Sequence, residues 1–335
     1  MDNIYRYDNS ARKRVLTWHV HGSYLYYLSQ VPVDLYVPVK PGRPEGYGGR
    51  GGTYPWPDNL IEVPAEDVKN LDLDIILYQS RKNYLEDQYE ILSEAQRRLP
   101  RMYLEHDPPR QSPTDTRHFV DDPAVTLVHV THFNRLMWDN GDNPALVIDH
   151  GVMVPEDAAY KGDLPRGIVV VNDLAKRGRR LGLDVWEQVR KEVPLDLVGI
   201  AADDLGGLPS VDHQRLPYLM ARYRFFFNPI RYTSLGLAIC EAMMVGMPII
   251  GLATTELSTV VENGVSGYID TDVDALIARM KTLMVEPSEA VKLSRGARRY
   301  AKKRFSITRF SDDWCKAFDL VVERATSGAT GMGVA

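Results

Sequence analysis

Cysteine is nearly absent: Cys240 and Cys315 are the only two in 335 residues. Neither belongs to a C-x-x-C or Cys/His ligand spacing, so both are expected as buried thiols, without disulfide, metal or redox chemistry. Long apolar runs are missing as well. The longest, RGIVVV and MPIIGLA, are strand-sized and far short of the roughly 20 residues of a membrane-spanning helix. The first residues, MDNIYRYDNSARKRVL, lack the apolar centre of a secretion signal. A cytoplasmic protein is expected, with peripheral membrane contact left open. No charge of one sign dominates: 40 Lys+Arg face 45 Asp+Glu, net −5. Without a broad positive field, no nucleic acid is expected as a partner.

What is present is an alternation of short β-branched runs with segments of helical period, the pattern of β-α-β units around parallel sheets. In the first half, strands are expected at 14–20, 34–39, 74–79, 101–106, 126–131 and 145–150, with helices at 23–30 and 82–98. A second series begins after VPEDAAYKGDLPRG, residues 154–167, whose Pro, Gly and charge suit an interdomain crossing. It places strands at 167–172, 195–200, 224–229, 248–253 and 267–270, and helices at 181–192, 212–223, 235–245, 256–263, 272–285 and 288–304.

The expected architecture is therefore α/β, with two doubly wound Rossmann-like domains, 1–157 and 158–305. An amphipathic helix, 306–325, and a disordered tail, 326–335, complete the chain. The Gly/Pro-rich stretch 40–59 reads as a long loop with Trp56 as its one apolar anchor, either a lid over the acceptor site or a plain surface loop.

In open α/β sheets ligands lie beyond the carboxyl ends of the strands, where a helix presents free N–H groups to an anion. FFFNPIRYTSLGLAICEAMMVG has that order, with Ser234, Leu235 and Gly236 at the expected helix start. Glu241 lies seven residues after Ser234, on the same helical face and about 10 Å further along the axis. A diphosphate and its adjoining ribose fit that spacing, and a carboxylate can accept both vicinal hydroxyls. A solvent-facing Glu is the alternative.

These residues resemble glycosyltransferase family 4, retaining enzymes of the GT-B fold. In NPIRYTSLGLAICEAMMVGMPIIGLATTELSTVVENGVSGYI, the residues Pro229, Gly236, Glu241-Ala242-Met243, Gly246, Pro248, Glu256, Asn263-Gly264 and Gly267 match the family pattern in order and spacing. The resemblance implies that Glu241 holds the donor ribose and that N–H groups around Leu235 and Gly236 meet the diphosphate. Two departures stand out. The first Glu of the family's Glu-x7-Glu pair is Thr233 here, which excludes a carboxylate nucleophile at that position. The family's Gly-Arg pair is Asn172-Asp173, and Lys176, Arg177, Arg179 and Arg180 crowd the place of its Lys-Gly. Of these, Arg177 and Arg180 are the expected cationic pair for the leaving diphosphate, with Lys176 on the donor; a solvated basic turn is the alternative.

On the facing domain, WHVHGSYL places His21, Gly22 and Ser23 at the first strand-to-helix turn, beside diphosphate and acceptor by resemblance. His106, at a strand end closed by Pro108 and Pro109, takes the family's donor-sugar contact. His150-Gly151 reads as architectural.

The function implied is transfer of a sugar from a nucleotide diphosphate, most simply a UDP-sugar, to a glycan, lipid or small-molecule hydroxyl acceptor with retention. The scheme needs no metal and no cofactor. Catalytic roles fall to His106, Arg177, Arg180 and Thr233. The nucleobase is expected against the loop AADDLGGLPS, 201–210. The alternatives are a catalytically lapsed sugar-nucleotide-binding protein and a sugar-nucleotide epimerase of the same fold.

Overall fold

The computed structural model describes residues 12–52 and 54–331. Every strand pairing is parallel, as runs of Val, Ile, Leu and Phe buried on both faces require. The first sheet comprises β1 (Arg14–Thr17), β2 (Asp34–Val39), β3 (Leu60–Pro64), β4 (Ile75–Tyr78), β5 (Arg101–Glu105), β6 (Val125–His129) and β7 (Ala145–Val147), in the order β3-β2-β1-β4-β5-β6-β7. The second comprises β8 (Leu164–Val170), β9 (Leu195–Val198), β10 (Tyr223–Asn228), β11 (Ile249–Leu252) and β12 (Gly267–Asp270), in the order β12-β11-β10-β8-β9.

Each order reverses once, between β1 and β4 and between β8 and β10. Those are the two points where a doubly wound sheet opens a crevice at its strand ends. Central strand β10 is wholly buried, with Phe225, Phe226 and Phe227 filling both faces. Its neighbour β8 can approach only because Gly167 lacks a side chain: a Cβ there would stand 2.3 Å from the Phe225 ring.

The chain leaves the first sheet at Val147, enters the second at Leu164, and returns through the long helix Ile307–Gly331. Phe310, Trp314, Phe318 and Val321 of that helix are buried, joining the first domain's core at the spacing expected of an amphipathic helix. The helix runs past 325 to Gly331, into the segment expected as a tail; residues 332–335 of that segment lie outside the described residues.

The helices His132–Met137 and Leu174–Arg177 were not expected, and two further differences bear on the first sheet and its flanking segment. β3 was not anticipated: LIEVP follows Pro57 closely and itself ends at Pro64, and its pairing with β2 decides its state. The expected helix 82–98 is broken into a π-turn (Asn83–Asp87), one α-turn (Gln88–Ile91) and a 3-10 turn (Gln96–Arg98). Burial of Asn83 and Asp87 explains the wide turn, with Asn83 Nδ2 and Lys82 Nζ both donating to the Asp87 carboxylate, at 2.9 and 2.5 Å. The break follows at Ser93, whose N–H donates to Gln96 Oε1 while its Oγ accepts the Gln96 N–H.

Candidate active site

Both switch points open onto one cavity of about 780 Å³ between the domains. Its second-domain wall follows the ends of β8 and β10: Val171, Asn172 and Asp173 on one side, then Thr233 to Ala238, with Glu241 one turn deeper. The helix begins at Leu237, two residues later than expected, with Gly236 extended before it (φ −75°, ψ 142°). Ser234 therefore lies on the loop rather than on the helix, yet it shares the cleft with Glu241. A Cβ on Gly236 would touch nothing within 4 Å, so the N-terminal end of this nine-residue helix lies open to the cavity. The buried Ser234 Oγ has no hydrogen-bond partner among the described residues.

Glu241 is buried, not solvent-facing. Its Oε1 accepts the Tyr27 hydroxyl at 2.6 Å, a bond from the first domain. Oε2 has no protein hydrogen bond among the described residues. Tyr27's oxygen also lies 3.2 Å from His213 Nε2. Because the phenol proton goes to Glu241, Nε2–H donates to Tyr27.

The basic turn is drawn to this wall by Gly182, which has φ +83° and packs so closely that a Cβ would lie 1.9 Å from Pro229 O. Arg231 and Tyr232 then donate backbone N–H groups to Arg180 O. Arg179 is tied to Asp184, which Arg231 also grips. Arg177 lines the cleft and Lys176 is exposed outside its lining. Arg180 lies beside Arg177 rather than on the lining: its guanidinium is held below its ordinary pKa by burial and by the charges of Arg177 and Arg110, with Asp107 opposing.

The facing wall carries His21, Gly22, Ser23, His106, Asp107 and Arg110. His106 Nε2 lies 3.1 Å from Gln79 Oε1. The Gln79 amide nitrogen is spent on Thr17 Oγ1 and the Trp18 carbonyl, so its oxygen must accept and His106 must carry its proton on Nε2. Burial and the neighbouring rings of His21, 4.3 Å away, and His150 hold the His106 pKa well below the usual histidine value. It is a neutral imidazole with Nδ1 free of protein hydrogen bonds among the described residues. The loop after it is braced by Glu105, whose carboxylate accepts His118 Nε2–H at 3.1 Å and the Asp107 N–H at 2.9 Å. Arg110 pairs with Asp107.

The loop 40–59 is built, not plain. His19 Nδ1 donates to Gly49 O at 2.6 Å, Trp56 Nε1 donates to Arg50 O, and Tyr54 reaches the cleft, where its hydroxyl meets Ser23 Oγ at 2.7 Å and its ring packs on His213. His150 Nε2 donates to Leu235 O at 2.8 Å, which agrees with an architectural reading although the residue also lines the cleft. The loop 201–210, expected to touch the base, contributes nothing to the lining. It folds back on β9 through Leu208 N–H to Leu197 O, and the cleft is reached instead by Ile200, His213 and Leu216.

Arg110, Tyr54 and His213 of the lining, and Tyr27 behind it on Glu241, are among the members that sequence reading missed. Each comes from a separate segment with no motif, and only an apolar-helix tyrosine and a pair of loop aromatics hinted at them. Among the described residues, no group of three His, Cys, Asp or Glu is placed to hold a metal.

Residues 166–286 match the family model described as glycosyl transferases group 1. No curated protein matches the chain in sequence. Among solved structures, sucrose-phosphate synthase from Thermosynechococcus elongatus is 13% identical over 93% of this chain and 100% of that one, with a TM-score of 0.67. HepE from Anabaena, in complex with UDP and glucose, is 14% identical over 92% of this chain and 100% of that one, with a TM-score of 0.63. TarM from S. aureus, in a complex that includes UDP, is 14% identical over 73% of this chain, with a TM-score of 0.55. The chain spans about half of TarM, 55% of its length. At these identities the likeness is one of fold.

Proposed function

We propose that this chain, which has the GT-B fold and carries the glycosyl transferases group 1 domain over residues 166–286, transfers a sugar from a nucleotide diphosphate to a hydroxyl acceptor with retention of configuration. The observation that carries the proposal is the single interdomain cleft in which a helix N-terminus, the buried Glu241 carboxylate and Arg177 face His106 and the Gly22-Ser23 turn.

In this reading the donor's diphosphate meets the N–H groups around Gly236 and the Ser234 hydroxyl, and Glu241 takes the ribose. UDP is the base carrier of choice, since HepE and TarM were captured with UDP. His106 Nδ1, as a neutral acceptor, takes a hydroxyl of the donor sugar. Thr233 can hold another hydroxyl but cannot form a glycosyl ester as a carboxylate would. Same-face substitution follows: the bond from the anomeric carbon to the phosphate oxygen breaks, the acceptor oxygen bonds on the same face, and its proton passes to the leaving phosphate. Arg177 and Arg180 stabilise the charge that grows there, so positioning and electrostatics carry the rate. His21 and Ser23 face the acceptor, whose class, glycan, lipid or small molecule, is open in this scheme. No step requires a metal.

A thermal-shift panel of UDP-, GDP- and ADP-sugars tests the donor site. A ligand at 100 times its dissociation constant should stabilise the fold by about 2.7 kcal/mol, and Glu241→Ala should abolish most of that shift. Silence from every nucleotide would sink the reading. Binding without hydrolysis or transfer across a crude acceptor pool would leave a binding protein, and epimer formation from donor alone would mark an epimerase.

A further inference from the structure

We infer that Tyr27 is a positioning residue for the donor site: it holds one oxygen of Glu241 from the facing domain, so that the donor ribose meets Oε2 alone. The inference rests on the reading of Glu241 as the ribose ligand.

Tyr27 is fully buried on the helix Gly22–Leu28 of the first domain, and Glu241 is buried on the helix Leu237–Val245 of the second. Their 2.6 Å hydrogen bond spans 214 residues of sequence. A glutamate side chain has three rotatable bonds, and fixing Oε1 fixes the plane in which Oε2 points. The chemistry of the fixing group matters. An Arg or Lys would neutralise the carboxylate, whereas a phenol orients it and leaves Oε2 with its full acceptor strength. The phenol stays a donor, because burial and the Glu241 charge push its pKa well above the ordinary value. His213 completes the arrangement. Its Nε2–H donates to the Tyr27 oxygen at 3.2 Å and lies 3.9 Å from Glu241 Oε1, too far to compete for it.

Tyr54 extends the same contact to the 40–59 loop. Its ring centroid lies 5.1 Å from that of His213, and its hydroxyl meets Ser23. The ribose ligand, the first domain's opening helix and the acceptor-side loop therefore share one chain of contacts. Whatever strengthens these contacts between the domains orders Glu241 for the donor, and donor bound at Oε2 in turn favours them, as reciprocal coupling demands.

Isothermal titration with UDP tests this on the full chain. Tyr27→Phe keeps the ring in its socket and removes only the hydroxyl; it should weaken UDP about tenfold, the worth of one hydrogen bond to a charged group. His213→Ala, in a partly exposed loop, removes the N–H that aims the hydroxyl and should weaken UDP in the same direction, about two- to fivefold. In a Glu241→Ala background neither substitution should have a further effect beyond about twofold. A packing role for Tyr27 would leave UDP affinity unmoved in Tyr27→Phe, and independent roles would give losses that add in the Glu241→Ala background; either result overturns the inference alone. Absence of binding by wild type to UDP, GDP and ADP overturns the donor reading, and this inference with it.

Discussion

Glu256 of the second domain accepts the backbone N–H of Phe133, at 2.8 Å, at the start of the first domain's helix His132–Met137. Its other oxygen takes Arg304 and the Thr259 hydroxyl, and Arg304 in turn grips Asp149 through two nitrogens at 3.0 and 3.1 Å. Tyr232 adds a bond to Pro109 O across the same seam. Glu256, one of the residues that match the family pattern, thus serves as a clamp between domains. Removing one partner of a buried ion pair leaves the other uncompensated. Because Arg304 keeps Asp149, Glu256→Ala should cost about 2–3 kcal/mol rather than the full penalty. Urea unfolding would read it as a lower midpoint with an unchanged slope.

The part of the second-domain wall from Ile230 to Glu241 was legible because it falls in one segment, 228–269, with fixed spacing. Of the two readings of Glu241, the solvent-facing one fails, because the residue is buried. What eluded the sequence is assembled from afar. Tyr27 reads as one more apolar position of a short helix, His213 as a loop residue, and Arg110 as a charge after two prolines; tertiary placement alone brings them to the cleft. The helix boundary at Leu237 shifted because Gly236 is extended, and the loop 201–210 is turned off the cavity lining after Gly199 (φ +146°). Local propensity could not foresee the π-turn at Asn83–Asp87 either, since buried side-chain bonds set it.

The basic turn offers an internal control for catalysis. Arg177→Ala and Arg180→Ala each remove a cation from the place proposed for the leaving diphosphate and should lower kcat about 10²–10³-fold. Arg179→Ala removes a cation two or fewer residues from each, but one already engaged with Asp184 at an exposed position. It should change kcat less than about threefold, since exposed pairs contribute little. Equal losses in all three variants would mean that only the turn's summed charge matters.

The histidines predict how stability depends on pH. Burial holds His129 and His150 near pKa 4, and His106 well below its usual value. With folded pKa values depressed, the unfolded chain binds more protons between about pH 6.5 and 4. Stability contributed by these groups is therefore complete above pH 6.5 and is lost as the pH falls toward 4. The loss amounts to about 3 kcal/mol for each of His129 and His150 at pH 4. Urea midpoints measured at pH 7, 5.5 and 4 should decline in that order, and His150→Gln should flatten the decline. A level profile would show that these rings accept protons freely in the fold.

Gly151 links the return helix to the donor wall. A Cβ there would stand 2.2 Å from Phe310 Cβ, and the adjacent His150 holds Leu235 O, while Arg309 Nη2 donates to Asp149 O at 2.9 Å. Gly151→Ala must therefore push the helix Ile307–Gly331 off the first domain, at a cost of about 1–3 kcal/mol for overpacking. Displacement at residue 151 also disturbs His150 and, through it, the backbone that precedes the helix Leu237–Val245. Gly264 supplies the contrast: nothing lies within 4 Å of its Cβ position, but its φ of +78° strains any side chain. Gly264→Ala should cost about 1 kcal/mol through backbone strain, with no path to Leu235. Gly151→Ala is thus expected to lower Tm and raise the donor KM together, and Gly264→Ala to lower Tm alone. A donor KM unmoved by Gly151→Ala would show that the return helix only stabilises the fold, without bearing on the cleft.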